Sequence, residues 1–254
     1  MTDWQAALEK FVKEWGRKPE VVGIVVCGSY ITGNPTKHSD IDIQIVLKKG
    51  CKWRERGNKI IDGFLMEYFA NPPERTVKYF EEDWKIRRMI TAHMFATGKI
   101  ILEKNDETKK LVKIAKKYLN KNTNSMPKAK IELAKYHLFD GLDNLQEIHF
   151  KNTPDFNFVY YSLLGKIFDY YSEYAEFPNT QPHKILRFLL KEEDRKKYNI
   201  QEFQDSKFVK LFIQAITEKE KSNQLKIAEI LVKYVQSKMG GFNISNWKFR
   251  SSAK

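Results

Sequence analysis

Residues 21–47 constrain this chain more tightly than any other stretch. An apolar run, Val21 to Cys27, stops at Gly28-Ser29, passes through Gly33-Asn34-Pro35, and resumes at Ser39 as the alternation Asp40, Ile41, Asp42, Ile43. Successive side chains of a strand point to opposite faces, so Asp40 and Asp42 share one face while Ile41, Ile43 and Ile45 anchor the other in a core. Two carboxylates held that close repel each other, and a divalent cation between them reconciles the arrangement. Gly28 allows a backbone to approach something closely, and Ser29 offers a hydroxyl and an amide, a pairing suited to phosphate oxygens. Two commoner phosphate loops are excluded. Asn34-Pro35 stands where a P-loop needs Lys-Ser/Thr, and position 30 is Tyr30 rather than the glycine of a dinucleotide fingerprint.

Together, Gly28-Ser29, Gly33 and Ser39-Asp40-Ile41-Asp42-Ile43 resemble the signature of the nucleotidyltransferase superfamily that includes DNA polymerase beta and the aminoglycoside nucleotidyltransferases. The resemblance covers residues 20–103. It implies an α+β fold: an N-terminal mixed β-sheet catalytic domain flanked by helices, then a C-terminal all-helical bundle, as in the antibiotic-modifying branch. It implies ATP or another NTP as substrate and two Mg²⁺ ions, with Asp40 and Asp42 as catalytic carboxylates and metal ligands, and Gly28 and Ser29 orienting the β and γ phosphates. A third carboxylate is expected on a later strand. Ile60 to Phe69 is the candidate, and Glu67, flanked by apolar residues where an unpaired charge is costly to bury, is the expected ligand. Asp62, on the opposite face by parity, is the alternative ligand, and pairing with a Lys or Arg is the alternative account of Glu67. One residue departs from the pattern. Thr32 stands where many relatives carry Arg before the second glycine of the loop, so no phosphate contact of that Arg transfers to this chain.

The chain's 254 residues suffice for one large or two modest cores, and two is the expectation. No run of about 18 apolar residues predicts a transmembrane helix, and Met1-Thr2-Asp3-Trp4-Gln5 has neither the basic start nor the apolar stretch of a secretory leader. The presence of only Cys27 and Cys51 argues against a disulfide framework, and a reducing, cytoplasmic location is expected. The formal charge of +13 is unevenly spread. Residues 1–124 carry 24 basic and 16 acidic side chains and residues 181–254 carry 16 and 8, a net of +8 in each; residues 125–180 carry 5 and 8, a net of −3. That division predicts one surface suited to polyphosphate and another tolerant of a cationic acceptor, the bland alternative being solvated helix faces.

In chain order, residues 2–16 carry Trp4, Leu8, Phe11, Val12 and Trp15 at helical spacing. Lys48 to Lys59 reads as a charged loop whose Lys52, Arg54, Arg56 and Lys59 stay in water or reach phosphates. Helices are predicted over 74–84 and 86–97, a short strand over 98–103 and a Lys-rich helix over 107–119. His93 reads as a packed imidazole, because no Cys, Asp or second His stands at metal spacing from it. The turn-rich segment from Asn120 to Pro127 marks a boundary. The expected division is therefore a catalytic domain at 1–120, a helical acceptor domain at 128–240 and a tail at 241–254. Helices are predicted at 128–150, 156–177, 182–191, 205–218 and 221–239, with most aromatics of the second in a bundle core.

Some relatives take a general base from the helical domain. Asp140, Asp143 and Glu147 fall on one face of the first such helix, so Asp140 is the expected base and an ordinary wet face the alternative. Lys184, just after Pro182 at a helix start, is the expected triphosphate contact, against a plain surface lysine. The function expected is transfer of a nucleoside monophosphate, AMP foremost, to a hydroxyl of a small-molecule acceptor such as an aminoglycoside-like antibiotic, releasing pyrophosphate. The alternatives are an antitoxin-like minimal nucleotidyltransferase acting on a protein, or an enzyme modifying RNA ends. Basic charge favours the latter, and aromatics at buried spacing count against it.

Overall fold

The computed structural model describes residues 3–122 and 124–250. It divides into two compact units, one running to Thr123 with Lys196–Asn199, the other taking Asn124–Arg195 and the chain from Ile200. The first unit contains α1 (Asp3–Gly16), β1 (Val21–Cys27), α2 (Ser29–Thr32), β2 (Ile41–Leu47), β3 (Glu55–Ile61), β4 (Phe64–Asn71), α3 (Pro73–Lys85), α4 (Ile90–Thr97), β5 (Lys99–Glu103) and α5 (Glu107–Leu119). Its five strands lie in the order β3-β4-β2-β1-β5. The β2–β4 pair is parallel and the other pairs are antiparallel, so the sheet is mixed.

Alternation along β2 decides what covers each face. Ile41, Ile43, Ile45 and Leu47 point into a core with Phe11 and Trp15 of α1 and with Met66 and Ala70 of β4. Val46, on the opposite face, is buried among Phe80 of α3, Ala92 and Phe95 of α4, and Leu111 of α5. The helices that cover Val46 thus leave the other end of this face, where Asp42 stands half-buried, to polar residues.

Three local expectations are corrected. The segment Lys48–Lys59 is not all loop, because β3 occupies Glu55–Ile61 and pairs with β4 in a hairpin. An edge strand has a neighbour on one side only and tolerates charge, so no apolar alternation betrays it. Asp62 is not a strand residue on a face. With φ 50° it forms, with Gly63 at φ 83°, the hairpin's turn, both residues in the left-handed region that a two-residue type I′ connection requires. Its carboxylate accepts from Lys10 Nζ at 2.8 Å and lies outside the group of acidic side chains that converges on the other side of the hairpin strands, Asp40, Asp42 and Glu67. Finally, the helix expected from residue 86 starts at Ile90, because Arg87 and Met89 take left-handed backbone, φ 59° and 43°, that interrupts the helix after α3.

The second unit comprises α6 (Lys128–Lys151), α7 (Phe156–Tyr174), α8 (Ile185–Leu190), α9 (Glu192–Lys197, whose last two residues count with the first unit), α10 (Ser206–Thr217) and α11 (Lys221–Lys238). Highly charged α9 has no apolar repeat and escapes sequence detection. Leu138, Leu145, Leu163, Ile167, Phe168, Phe212, Leu231 and Val235 are all buried. Of the α7 aromatics, Phe156, Tyr160, Phe168 and Tyr171 are buried, while Phe158 and Tyr161 are exposed. Beyond α11, Trp247 stacks on Tyr136 of α6 at 4.2 Å between ring centroids. Among the described residues no helix is long and apolar enough to cross a membrane.

Candidate active site

Pairing register builds the site. Cys27, the last residue of β1, is the partner of Asp42 in β2, and Asp42 is in turn the partner of Glu67 in β4. Parallel pairing of β2 with β4 places Asp42 and Glu67 side by side on one face, and Asp40 precedes the strand by one residue. One carboxylate oxygen from each of Asp40, Asp42 and Glu67 lies within 4.8 Å of the others, and all three residues are half-buried. Among the described residues no other group of three His, Cys, Asp or Glu side chains converges in this way, and His93 belongs to none. Complete burial, with the field of Asp42 and Asp40 added to it, raises the Cys27 thiol well above its ordinary pKa, so Cys27 is a neutral strand residue.

Gly28 is explained by this cluster. Its backbone sits at φ 74°, and a Cβ there would lie 1.9 Å from Asp42 Oδ2. The close approach that the sequence predicts is therefore first an approach to a carboxylate of the chain itself. Ser29 opens α2, whose Tyr30 and Ile31 pack on the α1 side of the core, so the turn is anchored by apolar contact. Thr32, at the position of the missing Arg, uses its hydroxyl to donate to Gly28 O at 3.2 Å and lies 3.2 Å from the hydroxyl of Tyr198, a residue of the same unit.

Glu67 has a cationic partner that sequence reasoning left unassigned. Arg56 of β3 donates from Nη2 to Glu67 Oε1 at 2.8 Å, and its guanidinium lies over the Phe69 ring at 4.8 Å. Both accounts of Glu67 thus hold at once: it pairs with an arginine and it joins the acidic cluster. The only signal for Arg56 was the Arg54-x-Arg56 alternation, which becomes legible once Asp62-Gly63 is taken as a turn.

Oxygen-only donors in this arrangement suit a hard divalent cation. Three like charges at hydrogen-bonding range of a common point, with one guanidinium at their edge, fit such an ion better than they fit its absence. A family model described as a nucleotidyltransferase domain matches residues 8–148, more than half of the chain. The chain belongs to the nucleotidyltransferase family. The nucleotidyltransferase is also similar to the crystal structure of a nucleotidyltransferase-like protein from Exiguobacterium sibiricum 255-15, at 13% identity over 92% of this chain and 75% of that one, with a TM-score of 0.45. A search of curated proteins returns no match. Family membership implies an enzyme that takes a nucleoside triphosphate as substrate and transfers its nucleotidyl group.

The remaining predicted residues of this nucleotidyltransferase lie in the helical unit. Asp140 is exposed on α6, where its carbonyl accepts from Asn144 Nδ2 at 2.8 Å. Asp143 and Glu147 are exposed as well, and Glu147 is paired with Lys151. Lys184 ends a short 3₁₀ turn, Pro182–Lys184, immediately before α8, and is half-buried.

Proposed function

We propose that Asp40, Asp42 and Glu67 are the catalytic carboxylates of an NTP-dependent transfer to the hydroxyl of a small acceptor, with AMP from ATP as the first donor to test. The observation that carries this reading is the convergence of the three carboxylates within 4.8 Å beside the Gly28-Ser29 turn. Asp40 and Asp42 would hold one divalent ion and share a second with Glu67. Bound there, Mg²⁺ supplies neutralisation of phosphate charge and a lowered pKa for the attacking hydroxyl. The acceptor oxygen bonds to the α-phosphorus, the α–β phosphoanhydride bond breaks, and pyrophosphate leaves with the bonding electrons. The hydroxyl proton goes to a carboxylate base, for which Asp140 is the candidate.

Ser29, Lys184 and Arg56 have separate tasks in this scheme. Ser29, with the Gly28 backbone, orients the β and γ phosphates so that the leaving group departs in line. Lys184 is the candidate for a further triphosphate contact. Arg56 acts through Glu67, fixing the orientation of its carboxylate, and is a positioning residue. An aminoglycoside-like acceptor rests on the net charge of −3 in residues 125–180 and is the arm to include for that reason.

The test incubates the protein with Mg²⁺ and each α-³²P-labelled NTP, following label into acceptors and release of pyrophosphate. Transfer by the wild-type chain, and its loss in D40N and D42N with circular dichroism unchanged, is the expected result. Full transfer by either variant would overturn the assignment.

A further inference from the structure

A cavity of about 440 Å³ opens on the same sheet face as the acidic cluster, wholly within the first unit. Register explains its position. Glu67, Phe69 and Asn71 share one face of β4, and their β2 partners are Asp42, Gln44 and Val46. Phe69 is two residues beyond Glu67, about 7 Å along the strand, so the cavity begins where the carboxylates end. Arg54 and Arg56 form its β3 side, and Tyr79 of α3 and Thr91 of α4 close it from the helical layer.

Its lining is unusual for the interior side of a sheet. Gln44 is only 5% exposed and Asn71 only 8%. Gln44 donates from Nε2 to the Met94 sulfur at 3.2 Å, a weak acceptor, which leaves its amide oxygen to the cavity. The Asn71 side chain makes no hydrogen bond among the described residues. Neither amide is sealed away from the cavity, and polar side chains that face a cavity beside reacting groups are placed to meet a ligand's polar groups. Charge narrows the class. Arg54 uses one N–H on the Tyr79 hydroxyl at 2.7 Å, and a guanidinium carries five. Glu55 is the one carboxylate in the lining, and it is already engaged by the Tyr68 hydroxyl at 2.6 Å.

We propose that this cavity binds the non-reacting part of the acceptor and selects a hydroxyl compound that carries a phosphate ester, held by Arg54, with its polar groups read by Gln44 and Asn71. The proposal rests on the nucleotidyl-transfer reading above and deepens it. It disfavours a polycationic antibiotic, whose ammonium groups would face the Arg54 guanidinium, which no carboxylate among the described residues offsets.

The experiment measures transfer from α-³²P-NTP with Mg²⁺ to matched pairs: ribose 5-phosphate against ribose, glycerol 3-phosphate against glycerol, with an RNA oligonucleotide and an aminoglycoside as further arms. The phosphorylated member should be used with kcat/KM about tenfold or more above its partner, the scale of one charge-assisted contact. R54Q and N71A should raise the KM for that acceptor by a similar factor while the KM for NTP stays within about twofold. N71A should also leave the melting temperature unchanged, because the Asn71 side chain makes no hydrogen bond within the fold for alanine to lose; a marked fall would show a structural role and count against the proposal. Preference for the oligonucleotide supports it with a nucleic-acid backbone as the source of phosphate. Equal use of both members of each pair, or preference for the aminoglycoside, overturns it. If the wild type binds Mg²⁺-NTP by calorimetry but labels no phosphate ester, the cavity assignment fails alone. If it binds no NTP, the transfer reading fails first.

Discussion

Asp205, between α9 and α10, and Asp42, in β2, are acidic residues that the fold treats in opposite ways. Asp205 caps α10, accepting from Phe208 N at 3.0 Å, and takes the hydroxyls of Tyr171 and Tyr234, so its charge is met by three donors. Burial pushes its pKa up, but these hydrogen bonds outweigh that, and it lies below the usual aspartate value. Asp42 is set beside Asp40 and Glu67, with a glycine at position 28 because no side chain fits against it. One arrangement lowers the energy of the folded chain. The other concentrates like charge, which the proposed divalent ion would relieve.

Substitutions should separate the two regions in order of size. D42N should lower transfer by about 10³-fold or more, about 4 kcal/mol of barrier, while leaving thermal stability equal or higher because a repulsive charge is gone. A melting temperature that fell with activity would erase the contrast. D205A should do the reverse, costing about 2–4 kcal/mol of stability through a lost cap and unmet tyrosine hydroxyls, as read by urea unfolding. Because the folded Asp205 pKa is depressed, its contribution is present above the ordinary aspartate pKa and is lost as pH falls through the folded value; D205N should flatten that acid limb of the stability curve. R56Q should reduce activity and Mg²⁺ affinity by about 10–100-fold, as loss of a residue that orients a ligand does, with little change in unfolding. K10A, which breaks the exposed pair to Asp62 at the β3–β4 turn, should cost less than about 1 kcal/mol and leave transfer intact.

Much of this was readable from residue order, and the unread parts share a cause. Strands β1, β2 and β5 and helix α5 follow apolar patterns and appear where those patterns put them. β3 is mostly polar and α9 is charged throughout, and neither carries such a pattern, so they became visible only through pairing and packing. Asp62-Gly63 was a hairpin signal in plain sight, but parity along an assumed strand from Ile60 to Phe69 concealed it. Arg56 was missed with β3, since its role depends on facing Glu67 across a hairpin whose register the turn sets.

Local sequence determined that two aspartates stand two residues apart at the start of a strand, that a Gly-Ser turn precedes them, and that helices fill the C-terminal half, because these follow from side-chain periodicity and turn chemistry within a few residues. Only tertiary structure decided that Glu67 joins the aspartates, that Asp62 does not, and that Gln44, Asn71 and Arg54 line a cavity next to them. Those facts depend on the parallel pairing of β2 with β4 and on helices α3 and α4 crossing their face, and contacts between residues distant in the chain leave no period in the sequence to read.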